Sequence, residues 1–155
     1  MLDLDRIDIR ILELMQANGR ISNQELADKV GLSATPCSRR VKRLEEEGVI
    51  DKHVTLLNAE TLGLNLTAYL GISMDRHTPE RFNHFEEIVS AYPEVLECSI
   101  VTGQSADYML KVVVKDMQHY ERFLLGRLTC IEGVTGVHSS FVLRKVVDKT
   151  ALPVA

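Results

Sequence analysis

Cysteine is scarce in this sequence. Its three copies, Cys37, Cys98 and Cys130, are odd in number, far apart and without a C-x-x-C pair. That pattern argues against a disulfide framework or a zinc site and suits buried thiols in a reducing compartment. Long apolar runs are missing too: no stretch approaches the roughly 18 residues that a membrane span requires. The amino terminus MLDLDRIDIR lacks the basic, then apolar, then small-residue order of a secretory signal. A cytoplasmic protein with no membrane association is expected. His53, His77, His84, His119 and His138 show no paired metal spacing, and serines and cysteines occur without a convincing base and orienting acid. No catalytic residue, metal or cofactor is therefore expected.

What is present is the composition of an ordinary globular chain, 45% hydrophobic and 26% charged, over 155 residues. That length allows one domain of common size or two small ones. The formal net charge is -4 and neither half is favoured, so local clustering of charge is more informative than the total.

The first third reads as helices. Leu4, Ile7, Ile11 and Leu14 fall at helical spacing, with Asp5 as N-cap and Gly19 as the stop. Ser22 and Glu25 in SNQE form a capping box that opens a short second helix, with Leu26, Ala27 and Val30 on its apolar side and Gly31 at its end. A third helix must start within two or three residues, because Ser33 and Thr35 are good caps and Pro36 is tolerated only in a first turn. It runs to about Glu47 and stops at Gly48. Three helices with a tight glycine-containing turn between the last two make a helix-turn-helix domain over residues 1–50. VIDKHVTLLN then reads as a wing or linker strand and AETL as one helical turn closed by Gly63, which places a linker and hinge at 51–65.

From residue 66 to 155 strands and helices alternate. In LTAYLGISM, Leu66, Ala68, Leu70, Ile72 and Met74 share one side of a half-buried strand. Thr78 and Pro79 open a helix with the stripe Phe82, Phe85, Ile88, Val89 and Tyr92. VLECSIVT and YMLKVVVK are strands joined by TGQSAD. Asp116 caps a helix burying Met117, Tyr120, Leu124 and Leu128, and GVHSSFVLRKV is the last strand. The fold class is α+β: a winged helix-turn-helix followed by a ferredoxin-like βαββαβ sandwich. Its open sheet face is expected to show Tyr69, Val95, Val101, Met109 and Val113, too apolar to face water, so a two-fold homodimer is expected.

Arg39, Arg40, Lys42 and Arg43 place four positive charges in five positions of the third helix. At 100° per residue, Cys37, Val41, Leu44 and Gly48 form its packing side, while Thr35, Ser38, Arg39 and Lys42 lie opposite, flanked by Arg40 and Arg43. Short hydroxyl side chains can approach base edges in the major groove and arginines can read guanine or hold phosphates. With Ser33 at the helix entry, these seven residues are the candidate contacts to double-stranded DNA. The alternative is a solvated helix whose arginines pair with Glu46 and Glu47 at i+3 or i+4.

GLSATPCSRRVKRLEEEGVI resembles the recognition-helix signature of the Lrp/AsnC, or feast/famine, transcriptional regulators. VTGQSADYMLKVVV and GVTGVHSSFVL resemble that family's amino-acid-sensing domain. The resemblance implies DNA binding through the helix-turn-helix, dimers that assemble into octamers or similar rings, and control by a free amino acid held between dimers. The family's glycine and aspartate before the third strand correspond to Gly103 and Asp107, and the QSA between them is a residue longer than in many members. The candidate effector set is Thr102, Gly103, Gln104, Ser105, Asp107, Tyr108 and Ser139. In it Asp107 would take the ligand ammonium and amides near Gly103 to Ser105 its carboxylate. No second charge is offered in TGQSAD, which favours a neutral effector such as leucine or methionine. Two other functions share the architecture: a siroheme decarboxylase-like enzyme, and an amino-acid-binding module that regulates a partner enzyme.

Overall fold

The computed structural model describes residues 3–103 and 105–154. Three helices come first, α1 (Arg6–Ala17), α2 (Asn23–Val30) and α3 (Ala34–Glu46). The chain continues as β1 (Leu66–Met74), α4 (Pro79–Ser90), β2 (Val95–Ile100), β3 (Tyr108–Val114), α5 (Met117–Gly126), a single 3₁₀ turn (Leu128–Cys130) and β4 (Val134–Phe141). The four strands form one antiparallel sheet in the order β2-β3-β1-β4, the βαββαβ sandwich expected from the pattern.

The chain divides into two compact units, one formed by Met1–Leu56 with Val147–Ala155 and the other by Leu57–Val146. Residues 147–154 thus group with the helical unit rather than with the sheet. Gln16 holds them: its Nε2 donates to the Leu152 carbonyl at 3.0 Å and its Oε1 accepts from the Leu152 amide at 2.6 Å. Val154 adds an apolar contact to a core built on Ile11, Leu12, Leu26, Ala27, Cys37 and Leu44. β4 correspondingly ends at Phe141, earlier than the sequence pattern suggests.

Caps explain the helix starts. Asp5 caps α1 through a complete capping box with Asp8, and Ser22 caps α2 by accepting from the Glu25 amide. α1 stops at Asn18 rather than Gly19. Gly31 takes a left-handed φ of 72° after α2, which lets the chain reverse at once into α3. The expected linker strand does not form: among the described residues, 51–65 makes no ladder pairing, only the turn closed by Gly63.

In the second unit Ala68, Leu70, Ile72, Tyr108, Leu110, Val112 and Val114 line the sheet face beneath Phe85 and Val89 of α4 and Tyr120 and Phe123 of α5. Phe123 takes the core place expected of Met117, which is exposed. Val95 also departs from expectation. A register shift between Val95 and Glu97 turns Val95 towards the helices, opposite Val112. The open face therefore carries a Glu97–Lys111 ion pair at 3.3 Å beside Tyr69, which is 42% exposed, and is less apolar than the alternation suggested.

Candidate nucleic-acid interface and effector turn

α3 buries Cys37 and Leu44 against α1 and α2 and leaves Ser33, Thr35, Ser38, Arg39 and Lys42 in solvent. The Asn23 side chain donates to the Ala34 carbonyl at 2.9 Å and fixes the entry of α3 against the start of α2. Lys42 makes only an exposed i, i+4 contact to Glu46 at 3.6 Å, which contributes little. Arg39 has no ion pair among the described residues. Ser33 at the N-cap position makes no side-chain cap hydrogen bond, and with Thr35, Ser38 and the two cations it stays exposed.

Arg40 and Arg43, on the flanks of those exposed residues, reach across to α1, and Arg43 stays 44% exposed. Asp8 of α1 is only 1% exposed, and a carboxylate so buried needs partners. Arg40 Nη1 donates to Asp8 Oδ1 at 2.9 Å and to Asp5 Oδ2 at 2.6 Å, while Arg43 Nη2 reaches Asp8 Oδ2 at 2.5 Å. Hydrogen bonding to Asp5 and Asp8 raises the Arg40 pKa further. The Asp8 amide and then the Arg40 guanidinium hold the Asp5 carboxyl below its ordinary value. Half of the basic cluster is therefore a lock between α1 and α3, and it sets the rotation of α3 that presents Arg39 and Lys42.

The turn between β2 and β3 folds over the open end of the sheet. Gly71 makes this possible, since a Cβ there would lie 3.1 Å from Ala106 Cβ. The Asp107 amide donates to the Ile72 carbonyl at 2.8 Å, and Ser73 Oγ donates to the Ser105 carbonyl at 3.2 Å. Gly103 adopts a φ of 83°. Thr102, Gly103 and Ser105 are exposed, and among the described residues the Gly103 and Ser105 amides make no hydrogen bond. Gln104 lies outside the described residues.

Asp107 is engaged rather than open. Its Oδ2 accepts from the Met74 amide at 2.7 Å, and its Oδ1 lies 2.8 Å from His77 Nε2. Two other candidates are not brought to this turn. Tyr108 points under α4, where its hydroxyl donates to Glu86 Oε1 at 2.6 Å; burial first, and then Glu86, raises its pKa strongly. Ser139 lies on the helix-covered face of β4, opposite Leu70, and hydrogen-bonds the Tyr120 hydroxyl.

A model described as Lrp/AsnC ligand binding domain matches residues 67–152, and one described as winged helix-turn-helix DNA-binding matches residues 4–51. The chain is 44% identical over 153 residues to the Bkd operon transcriptional regulator of Pseudomonas aeruginosa, covering 99% of both. The chain belongs to the Lrp/AsnC family. Among other Lrp/AsnC relatives, the leucine-responsive regulatory protein of Escherichia coli is 41% identical over 150 residues, with 97% of this chain and 91% of the relative covered. A Neisseria meningitidis transcriptional regulator solved as a complex with L-Met superposes with a TM-score of 0.93 at 39% identity, covering 97% of each chain. An AsnC family regulator from Agrobacterium tumefaciens gives 0.91 at 37%, again with 97% of each chain covered. An Lrp/AsnC chain with both domains is a DNA-binding transcriptional regulator, and the decarboxylase and partner-enzyme alternatives lose their support.

Sequence reasoning missed Asp5 and Asp8 as partners of α3 and His77 as the partner of Asp107. The first had a visible signal: two acids three apart in the opening turn of α1, where a capping box also places them. The His77 contact joins residues thirty positions apart in sequence and had none.

Proposed function

We propose that this regulator reads operator DNA through Ser33, Thr35, Ser38, Arg39 and Lys42, and that its affinity responds to a neutral amino acid bound at the turn Thr102–Asp107. The observation that carries the first half is the Asp8 lock, which engages Arg40 and Arg43, while Arg39 has no ion pair among the described residues and Lys42 only an exposed contact to Glu46, so both can meet phosphate or guanine. For the second half, exposed amides around Gly103 and a carboxylate at Asp107 match a zwitterion in charge. The complex of the Neisseria relative with L-Met supports methionine as the effector, and the name of the leucine-responsive relative supports leucine. The protein acts as a homodimer that assembles further, to an octamer or similar ring, in the cytoplasm; exposed Tyr69 on the open sheet face supports such pairing.

Gel shifts across a salt series test the reading. Arg39→Ala with Lys42→Ala is expected to weaken operator binding and to reduce the slope of log K against log salt by roughly two. L-methionine or L-leucine should raise the melting temperature of the wild type and shift its DNA affinity. Unchanged affinity and slope in the double variant would remove the DNA-contact assignment.

A further inference from the structure

Asp107 holds its two oxygens in unlike ways. Oδ2 accepts the Met74 backbone amide, which belongs to β1 and cannot leave without breaking the strand end. Oδ1 is paired with His77, whose side chain is 67% exposed in the turn between β1 and α4 and lies tilted against Phe82, with ring centroids 5.8 Å apart. The first contact is a fixture. The second is an exposed pair of the kind that contributes little and is readily exchanged. The Asp107 side chain itself is 23% exposed, and His77 is the side-chain partner on Oδ1.

We infer that His77 is a displaceable cap on the effector-binding carboxylate. In the empty site its imidazole occupies Asp107 Oδ1, and the ligand ammonium takes that oxygen only when the ring swings away. The inference rests on the reading of Asp107 as the ammonium acceptor, and adds to it a residue that lowers effector affinity by competing for the same atom. Since Oδ2 stays with Met74, the ammonium meets one oxygen rather than two, and the rest of its hydrogen bonds must come from elsewhere in the turn. A site that is open for only a fraction of the time binds more weakly by that fraction. An exposed pair of this strength corresponds to a loss of roughly two- to fivefold.

Calorimetric titration of the full chain with L-methionine and with L-leucine provides the test, together with NMR of the histidine rings. Expected results are that His77→Ala tightens the Kd about two- to fivefold and that saturation of the wild type moves the His77 ring resonances towards those of a solvent-exposed imidazole. Asp107→Asn, checked for folding by circular dichroism, is expected to lose binding. If Asp107→Asn abolishes binding while His77→Ala leaves the Kd unchanged, the effector reading stands and the cap is wrong. If His77→Ala weakens binding, the histidine touches the ligand and competes with nothing. If Asp107→Asn binds as the wild type does, the underlying reading fails and takes the cap with it.

Discussion

Among the described residues Asp8, 1% exposed, is the one charged residue that is buried. It is buried at the foot of α1, and two arginines of α3 converge on its oxygens while the Asp5 amide donates to it as well. Removing one partner of a buried pair leaves the other uncompensated, at about 3–5 kcal/mol where both are fully enclosed. Arg40 remains 27% exposed and can recover some hydration, so Asp8→Ala is expected to cost about 2–4 kcal/mol, read as a lower urea midpoint of the helical unit. Glu94 gives a pH-dependent counterpart. Burial pushes its carboxyl up, yet the hydrogen bonds from its own backbone, Arg127 and His119 outweigh this and hold it below its ordinary value. A carboxyl lowered by folding contributes stability above its unfolded pKa and loses it as pH falls through the folded one. Glu94→Gln should therefore lower stability at pH 7, and the gap between variant and wild type should narrow on acidification below about pH 4.5. Urea unfolding at both pH values measures it.

At the scale of elements, the sequence was most legible where one residue type has one local use. Asp5, Ser22, Thr78 and Asp116 each cap a helix as their types and positions suggest. The alternation in LTAYLGISM matches the burial of β1 from Ala68 to Met74 except at Gly71, which is buried. What the pattern could not supply was any contact that depends on the angle between elements. Helical spacing alone puts Arg40 and Arg43 on the flanks of the solvent side, and only the nearness of α1 gives them Asp8 as a partner. Val95 was misplaced because a register shift reverses the period-two rule within a single strand. Gly71 is a further case: in sequence it is a blank on the open face, and in the structure it is the seat of Ala106. A methyl group there would press on Ala106 Cβ at 3.1 Å, and overpacking of this kind costs roughly 1–3 kcal/mol. Gly71→Ala is expected to lower the melting temperature and, by lifting the turn that carries Thr102 to Asp107, to weaken L-methionine binding in titrations. Unaltered affinity would show that the turn tolerates the shift.

Across the whole molecule, the chain order of the two cores differs from their spatial membership. The helical unit is closed by residues that follow β4, so a segment encoded after the sensing fold completes the DNA-binding one. Nothing in ALPVA or the residues before it signals this, because the deciding contacts are a backbone amide and carbonyl that every residue possesses. Gln16 reads both groups of Leu152 as a neighbouring strand would, and Val154 covers part of the core beneath. Two exposed hydrogen bonds and one half-buried aliphatic side chain amount to about 1–2 kcal/mol. For a unit of this size that corresponds to a melting shift of roughly 4–8 °C per kcal/mol. Deleting residues 151–155, which carry these contacts, is therefore expected to lower the melting temperature of the helical unit by that order, with Gln16→Ala giving a smaller part of the same shift. Operator affinity measured well below the transition should fall little, because Arg39 and Lys42 keep their setting through Asp8. A deletion that leaves melting unchanged would mean that the tail lies on the helices without stabilising them. A large loss of DNA affinity at low temperature would mean that the segment orders α3 directly, through contacts beyond Gln16 and Val154.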